Sequence, residues 1–369
     1  MTETEPNNRQ RPAVPRFAGL ASVRLENGTY QLSWAAASHD HTDPASIQYG
    51  VFISESPGPE NYDFVNPVAS VVGATSISID AGRLDTTKRH YFIVRAWSKE
   101  GMSDLNTIEQ ADRTLRLSGE PNFRDFGGYI NSDGKQVRWG RLYRSAHLAH
   151  LTPEDMARVQ SLGLNRVMDL RPDVEKTGRT DKTYPGNEDK YDLLPCIVSD
   201  PYLLEEQPTS QLASDPRQFD WPNLHIYMIE PNKEHIKLAF DRYADPSQYP
   251  ILHHCSQGKD RAGIFSALVL WLLKVPQTTI VEDYMLTQEL VDTQASIDEM
   301  RRYIEANAET VPDGVTAEHW EPAMSCAPER MTIMFSHLDR QYGGIEGFLE
   351  SIGVTDTQRQ AIRDILLKD

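Results

Sequence analysis

The stretch Ile251-Leu-His-His-Cys-Ser-Gln-Gly-Lys-Asp-Arg-Ala-Gly263 holds the residues best suited to chemistry. Cys255 opens a short run that Arg261 nearly closes, with Gly258 between them. A cysteine is a strong nucleophile as its thiolate. An arginine offers a planar fork that pairs two phosphate oxygens at once. A glycine lets the backbone curl tightly around a bound group. Together they suit covalent phosphoryl transfer to sulfur, with Cys255 attacking phosphorus and Arg261 holding the equatorial oxygens.

That chemistry needs elements to position it. Tyr249 to His253 reads as the end of a short buried strand, and Ile264 to Val275 is apolar enough for a buried helix. A loop at a helix N-terminus turns unpaired N–H groups into one small volume, where the helix dipole also favours negative charge. The same field favours the thiolate of Cys255. A lone Cys-x5-Arg would be equally well explained by a buried structural cysteine. Here His254, Gly258, Gly263 and the strand-then-helix context all agree with the reactive reading.

At these residues the chain resembles the Cys-x5-Arg phosphatases, and the form HCxxGKDRxG is similar to the bacterial and fungal tyrosine/serine protein phosphatase family. Four further segments carry the resemblance. They are Asn122-Phe-Arg-Asp-Phe-Gly-Gly-Tyr129, Gly140-Arg-Leu-Tyr-Arg-Ser145, Asp169-Leu-Arg171 with Glu175, and Tyr342-Gly-Gly-Ile-Glu-Gly-Phe-Leu349 with Ile352-Gly-Val354. The resemblance covers residues 115–369. It implies a protein-tyrosine-phosphatase-like α/β domain with a short central parallel sheet flanked by helices. It also implies a phosphoric monoester hydrolase with no cofactor and no metal, acting on phosphotyrosine, with dual specificity toward phosphoserine and phosphothreonine as an extension of that activity.

In that reading Cys255 is the nucleophile and Arg261 the clamp. Ser256, Gln257, Gly258, Lys259, Ala262 and Gly263 form the phosphate cradle with them, and His254 orients the loop. The leaving oxygen needs a proton. Asp260, inside the loop, and Asp200, after the Leu194-Pro195 strand end, are the two candidate acids. Arg124 and Arg144 border the pocket or brace the loop. Bracing is the preferred role for both, and for Asp125, Asp169 and Arg171, although Arg124 stays among the candidate substrate-binding residues. His253 has no assigned role. Lys259 adds a cation that suits a second phosphate, as in lipid phosphatases acting on phosphoinositides, so a phosphoinositide or small phosphate-ester substrate is an alternative. Ala262 stands where the family usually has Thr or Ser, a hydroxyl thought to stabilise the departing thiolate. Hydrolysis of the phospho-enzyme should therefore slow, which opens a third reading, a low-activity module that binds phospho-ligands.

Composition bounds these readings. The chain has 369 residues, enough for two domains. Lys+Arg 37 against Asp+Glu 54 gives a net charge of -17, which argues against nucleic acid and anionic membrane surfaces as partners. Three scattered cysteines (Cys196, Cys255, Cys326) make neither a disulfide framework nor a metal site, and they fit a cytoplasmic setting. The polar start shows no secretory signal, and the longest apolar run is too short to span a bilayer.

Residues 1–13 read as a disordered tail. From 14 to 110 the pattern is short strands and turns without helical period. Thr29 to Trp34 follows an Asn27-Gly28 turn, and Ile47 to Ile53, Ser76 to Ile79 and His90 to Trp97 come after it. This predicts a small all-β sandwich preceding the α/β domain. Trp34, Leu84 and the VRAxxxxG ending resemble a fibronectin type III module, which implies scaffolding or binding of a protein partner. In the second domain Thr152-Pro-Glu-Asp155 caps a helix running to about Leu162. Strands are expected at Arg166 to Leu170 and Tyr191 to Pro195, a lid or mobile insertion at 199–222, and one helix from His225 to Ala244. Further helices are expected across Thr279 to Asn307, Ala327 to Tyr342 and Thr355 to Leu367, with 311–326 irregular.

Overall fold

The computed structural model describes residues 20–37, 43–85, 88–98, 101–102, 108–176, 180–182, 188–196, 215–306 and 312–368. The expected tail and residues 199–214 of the expected insertion lie outside them. The chain divides into two compact units between Arg113 and Thr114.

The first unit is an antiparallel sandwich. Strands β1 (Leu20–Glu26), β2 (Thr29–Trp34) and β5 (Ser76–Asp80) form one sheet, in that order. β4 (Ala69–Val72), β3 (Gln48–Ser54), β6 (Tyr91–Ser98) and β7 (Gly101–Met102) form the other, with β8 (Gln110–Ala111) also on β6. Asn27 and Gly28 both take positive φ (48° and 75°), as a two-residue hairpin turn requires. In β2 the side chains of Tyr30, Leu32 and Trp34 alternate inward. They share a core with Tyr49, Val51, Phe92 and Val94 of the facing sheet. β1 and β4, each at a sheet edge, and the two-residue strands β7 and β8 are the strands that the pattern did not reveal.

The second unit is layered α/β. Its five-stranded sheet runs β13 (Tyr191–Leu193), β12 (Arg166–Asp169), β14 (Ile251–His254), β11 (Leu142–Ser145), β9 (Arg124–Asp125). The first four are mutually parallel and β9 is antiparallel at the edge. β14 is central and buried throughout, as a strand covered on both faces must be. A small ladder pairs β10 (Gln136–Val137) with β15 (Leu367–Lys368).

Helix α1 (Pro153–Ser161) starts at a capping box, with Thr152 and Asp155 satisfying each other's backbone N–H. The helix expected over 225–244 is two: α2 (Leu224–Ile229) and α3 (Lys233–Tyr243), joined by a 3-10 turn at Glu230–Asn232. Pro231 lacks an N–H and breaks the α-helical ladder there. α4 (Asp260–Leu272) is almost wholly buried, which explains its unbroken apolar sequence. α5 (Gln277–Leu290), α6 (Thr293–Ala306), α7 (Glu321–Met324), α8 (Pro328–Tyr342), α9 (Ile345–Ser351) and α10 (Asp356–Leu366) complete the unit. The stretch read as irregular thus holds α7 and a 3-10 turn at Ala317–Trp320.

Candidate active site

The loop from Cys255 to Lys259 joins the end of β14 to the start of α4. Gly258 takes φ +66°, and a Cβ there would lie 2.5 Å from the carbonyl carbon of Ser145, so only glycine fits. Four successive loop carbonyls are tied from outside. Ser256 O accepts the His147 N–H at 3.4 Å and Gln257 O accepts Asn122 Nδ2 at 2.8 Å. Gly258 O and Lys259 O accept Arg144 Nη2 at 2.9 and 3.1 Å. In a trans peptide the N–H points opposite to the preceding C=O. The N–H groups of residues 257–260 therefore turn to the other side, as an anion cradle needs. Cys255 sits at the start of this loop, unpaired and 2% exposed. Asn122 and Arg144 belong to the NFRD and YRS segments, so these motifs are the loop's scaffold.

Arg261 turns toward the segment after β12. Its fork grips Glu175, Nη1 to Oε1 at 2.9 Å and Nη2 to Oε2 at 2.7 Å, and Nη1 lies 3.4 Å from Leu170 O. Ser256 Oγ donates to Glu175 Oε2 at 2.5 Å. Burial alone would lower the Arg261 pKa, but Cys255 and Glu175 outweigh it and push it above the ordinary range. Burial likewise works against Glu175, yet Arg261 holds its carboxyl below the usual value. The result is a permanent cation beside Cys255, oriented by a carboxylate.

Beneath the loop lies a second set of charges. His254, fully buried, has Nε2 3.1 Å from Asp181 Oδ2. Arg171 donates to Asp169 through Nε and Nη2, both at 2.9 Å, and to Asp181 at 2.8 Å. Burial would raise the Asp181 carboxyl, but His254 and Arg171 hold it down to about 2. Asp169, Asp181 and His254 bring three possible metal ligands within 4.8 Å of one another. Arg171 already engages both carboxylates, so the group is an ion-pair network.

The remaining expected residues sort by their partners. Arg124 is fully buried and donates to Asn122, to Asp283 O at 3.0 Å and to Thr287 Oγ1 at 3.1 Å. These are bracing contacts inside the scaffold. Asp125 receives the N–H groups of Gly127 and Gly140, both at 2.7 Å. His253 meets Tyr243 Oη at 2.8 Å and Ser266 Oγ at 3.0 Å, and burial holds its pKa down to about 3, so it is a neutral core residue. Ala262 is fully enclosed, and Gly263 packs against Tyr284 and Arg144. Asp200 lies outside the described residues. Asp260 and Lys259 bond each other. Asp260 also lies near His225, Tyr284 and Arg330. Burial would raise its carboxyl, but Lys259 and then His225 and Arg330 hold it far below the usual range. A carboxylate so held keeps no proton to donate near neutral pH.

Sequence reasoning did not single out Asp283, Asp181, His225, Tyr284 or Arg330. Glu175 was noted only as a motif position. For Asp283, His225, Tyr284 and Arg330 the reason is that a polar residue within a helix normally marks the solvent face, and for Asp181, in a connecting segment, no periodicity marks a buried position.

A cysteine and an arginine around a cradle of inward N–H groups, on a central parallel strand, define a cysteine-dependent phosphatase loop. The chain belongs to the tyrosine phosphatase family, whose family model matches residues 115–368. A protein of Cupriavidus necator carrying a provisional tyrosine-protein phosphatase name is 34% identical over 177 residues, 48% of this chain and 63% of that one. The triple specificity protein phosphatase PtpB of Mycobacterium tuberculosis is 26% identical over 277 residues, 68% of this chain and 98% of that one. The core catalytic domain of the PP-IP phosphatase SIW14 from S. cerevisiae aligns at 16% identity and a TM-score of 0.25, over 49% of this chain and 92% of that one.

Proposed function

We propose that this protein hydrolyses phosphotyrosine in proteins through a cysteinyl-phosphate. Cys255 Sγ attacks phosphorus as the phosphorus–oxygen bond to the tyrosine breaks. Water then attacks the phospho-enzyme and the sulfur–phosphorus bond breaks, releasing phosphate and restoring the thiolate. The observation that carries this is the loop itself, with its carbonyls tied outward, its N–H groups turned in, and Arg261 held beside Cys255. Arg261 and the loop N–H groups take the charge of the transition state, so the reaction as drawn calls for no metal. We assign the proton for the leaving oxygen to Asp200, because Asp260 is held ionised. The Cys-x5-Arg chemistry extends to phosphoserine and phosphothreonine, and the name of the M. tuberculosis relative makes both worth assaying.

One observation favours the slower, ligand-retaining reading. Ala262 supplies no hydroxyl to the departing thiolate. The experiment is phosphate release from p-nitrophenyl phosphate, with chelator present, under single-turnover and steady-state conditions. Cys255→Ser abolishes turnover. Wild type shows a burst followed by a slow steady state, and Ala262→Thr raises the slow rate. Wild type with neither burst nor turnover would defeat the hydrolase reading in favour of a phospho-ligand module.

Among the described residues no helix is long and apolar enough to cross a membrane. We place the protein in the cytoplasm, a reading supported by three unpaired cysteines. The sandwich, with a core of its own, suits recruitment of a protein partner.

A further inference from the structure

Lys259 and Arg261 lie two residues apart, yet they face different neighbours. Arg261 meets Glu175 and Leu170 O and stands beside Cys255. Lys259 is 2% exposed, and its ammonium bonds the Asp260 carboxylate. The other oxygen of Asp260 lies 3.1 Å from His225 Nε2, 3.1 Å from Tyr284 Oη and 3.7 Å from Arg330 Nη1. His225 comes from α2, Tyr284 from α5 and Arg330 from α8, so three helices converge on one carboxylate at the first residue of α4. Cys326 Sγ closes the cluster on Tyr284 O at 3.7 Å.

The charges in this cluster leave Lys259 little freedom. Burial holds the His225 pKa below its ordinary value despite Asp260, so near neutral pH the ring is a neutral donor. Asp260 then has two cationic neighbours, Lys259 in direct contact and Arg330 further off. Arg330 is itself engaged by the carbonyls of Ser325 and Pro322. Moving the ammonium away would break a buried ion pair and leave the carboxylate under-compensated, which is strongly unfavourable. The lysine that the sequence offers to a second phosphate is therefore already occupied.

We propose that Asp260 is a specificity-determining residue. By keeping Lys259 inside the protein it leaves the phosphate loop with one side-chain cation, Arg261. The site then selects substrates with a single phosphate at the reacting end over those with a second phosphate beside it, such as a bis-phosphorylated inositol lipid. This rests on the phosphatase reading of Cys255 and narrows its substrate class.

The test compares kcat/KM for a phosphotyrosine peptide and for a soluble short-chain phosphatidylinositol bisphosphate, using the full chain. Wild type prefers the peptide. Asp260→Asn frees the ammonium, and the lipid-to-peptide ratio rises about tenfold, the effect of one added charge-assisted hydrogen bond to phosphate. Adding Lys259→Met to Asp260→Asn removes that rise. Should Asp260→Asn fail to fold, Lys259→Met alone decides, because an unchanged ratio supports the proposal. A selective loss of lipid turnover in Lys259→Met would overturn it, since the ammonium would then reach substrate in the wild type. Loss of peptide turnover in Asp260→Asn, together with loss of one limb of the pH profile, would also overturn it by making Asp260 the proton donor. Affinities for both ligands are measured as well in the Cys255→Ser background. Absent turnover would remove the hydrolase reading, while the ratio of affinities still decides selectivity.

Discussion

Arg144 donates Nη1 to Asp283 Oδ2 at 2.6 Å, and its other nitrogen holds the carbonyls of Gly258 and Lys259. Both side chains are almost fully buried, and Asp283 also receives Tyr129 Oη at 2.9 Å and faces Arg124 Nε at 3.7 Å. One carboxylate on α5 thus sets the position of the arginine that ties two loop carbonyls outward. The motif arginines Arg124 and Arg144 share this one anion, and Arg144 is the one that carries its position to the loop.

Asp283→Asn tests this arrangement. The amide keeps the shape but removes the charge that compensates two buried guanidinium groups. Breaking a buried pair by removing one partner costs about 3–5 kcal/mol. Urea unfolding followed by fluorescence should show that loss. Turnover of an aryl phosphate at saturating substrate should fall further than the folded fraction does, because the loop loses its frame. Normal turnover in the folded fraction would limit Asp283 to a stability role.

Glu175 has a different part. It grips the fork of Arg261 and the hydroxyl of Ser256, the residue after the nucleophile. Removing it leaves the guanidinium charged but unaimed. Misplacing a catalytic group by about 1 Å can cost roughly a hundredfold in rate. Glu175→Ala should lower kcat/KM on p-nitrophenyl phosphate by about that factor, with Glu175→Gln intermediate because it keeps one acceptor for the fork. Equal, small effects of both variants would mean that Arg261 finds its place without Glu175.

The loop was legible in the sequence because its chemistry is contiguous. Cys255, Gly258 and Arg261 sit close together where an apolar strand passes into an apolar helix, and local spacing is enough to read that. The strands of the sandwich were legible where alternation is strong, as in β2. They were not where an edge strand such as β4 leaves Val72 facing solvent. The frame around the loop was legible only in part: Arg124 and Arg144 read as braces, but the partner they share did not show. Arg144 and Asp283 are 139 residues apart in sequence, and nothing local pairs them. Lys259 shows the same limit for function: its type and position suggest a phosphate ligand, but its neighbour Asp260 takes it, and the helices that surround Asp260 pack in a way that a linear pattern does not encode. α9 was missed because the glycines around it, Gly344 and Gly347, look like loop, whereas Gly347 lies inside the helix with Tyr342 O 1.8 Å from the place its Cβ would occupy.

Glu120 gives the unit a titration near neutrality. It is 3% exposed, accepts the Asn122 N–H at 2.9 Å, and is also bonded by the Ala146 backbone. Asn122 holds Gln257 O and Ala146 precedes His147, so this carboxyl links two of the loop's outer ties. Burial pushes it up to about 7, while the two backbone bonds, His254 and Arg124 pull the other way without winning. A carboxyl raised on folding binds its proton more tightly in the native state. Its contribution to stability is therefore complete below the ordinary glutamate range and is lost as pH rises through about 7. The shift corresponds to roughly 3 kcal/mol at most. Unfolding free energies measured by urea titration between about pH 5 and about pH 8 should fall across that interval in the wild type. Glu120→Gln, which cannot ionise, should flatten the slope. Its stability should match or exceed wild type at the upper end of the range. An unchanged slope in Glu120→Gln would assign the transition to another group. If its loss of stability were equal at every pH, the carboxyl would be shown to act there only as a hydrogen-bond acceptor.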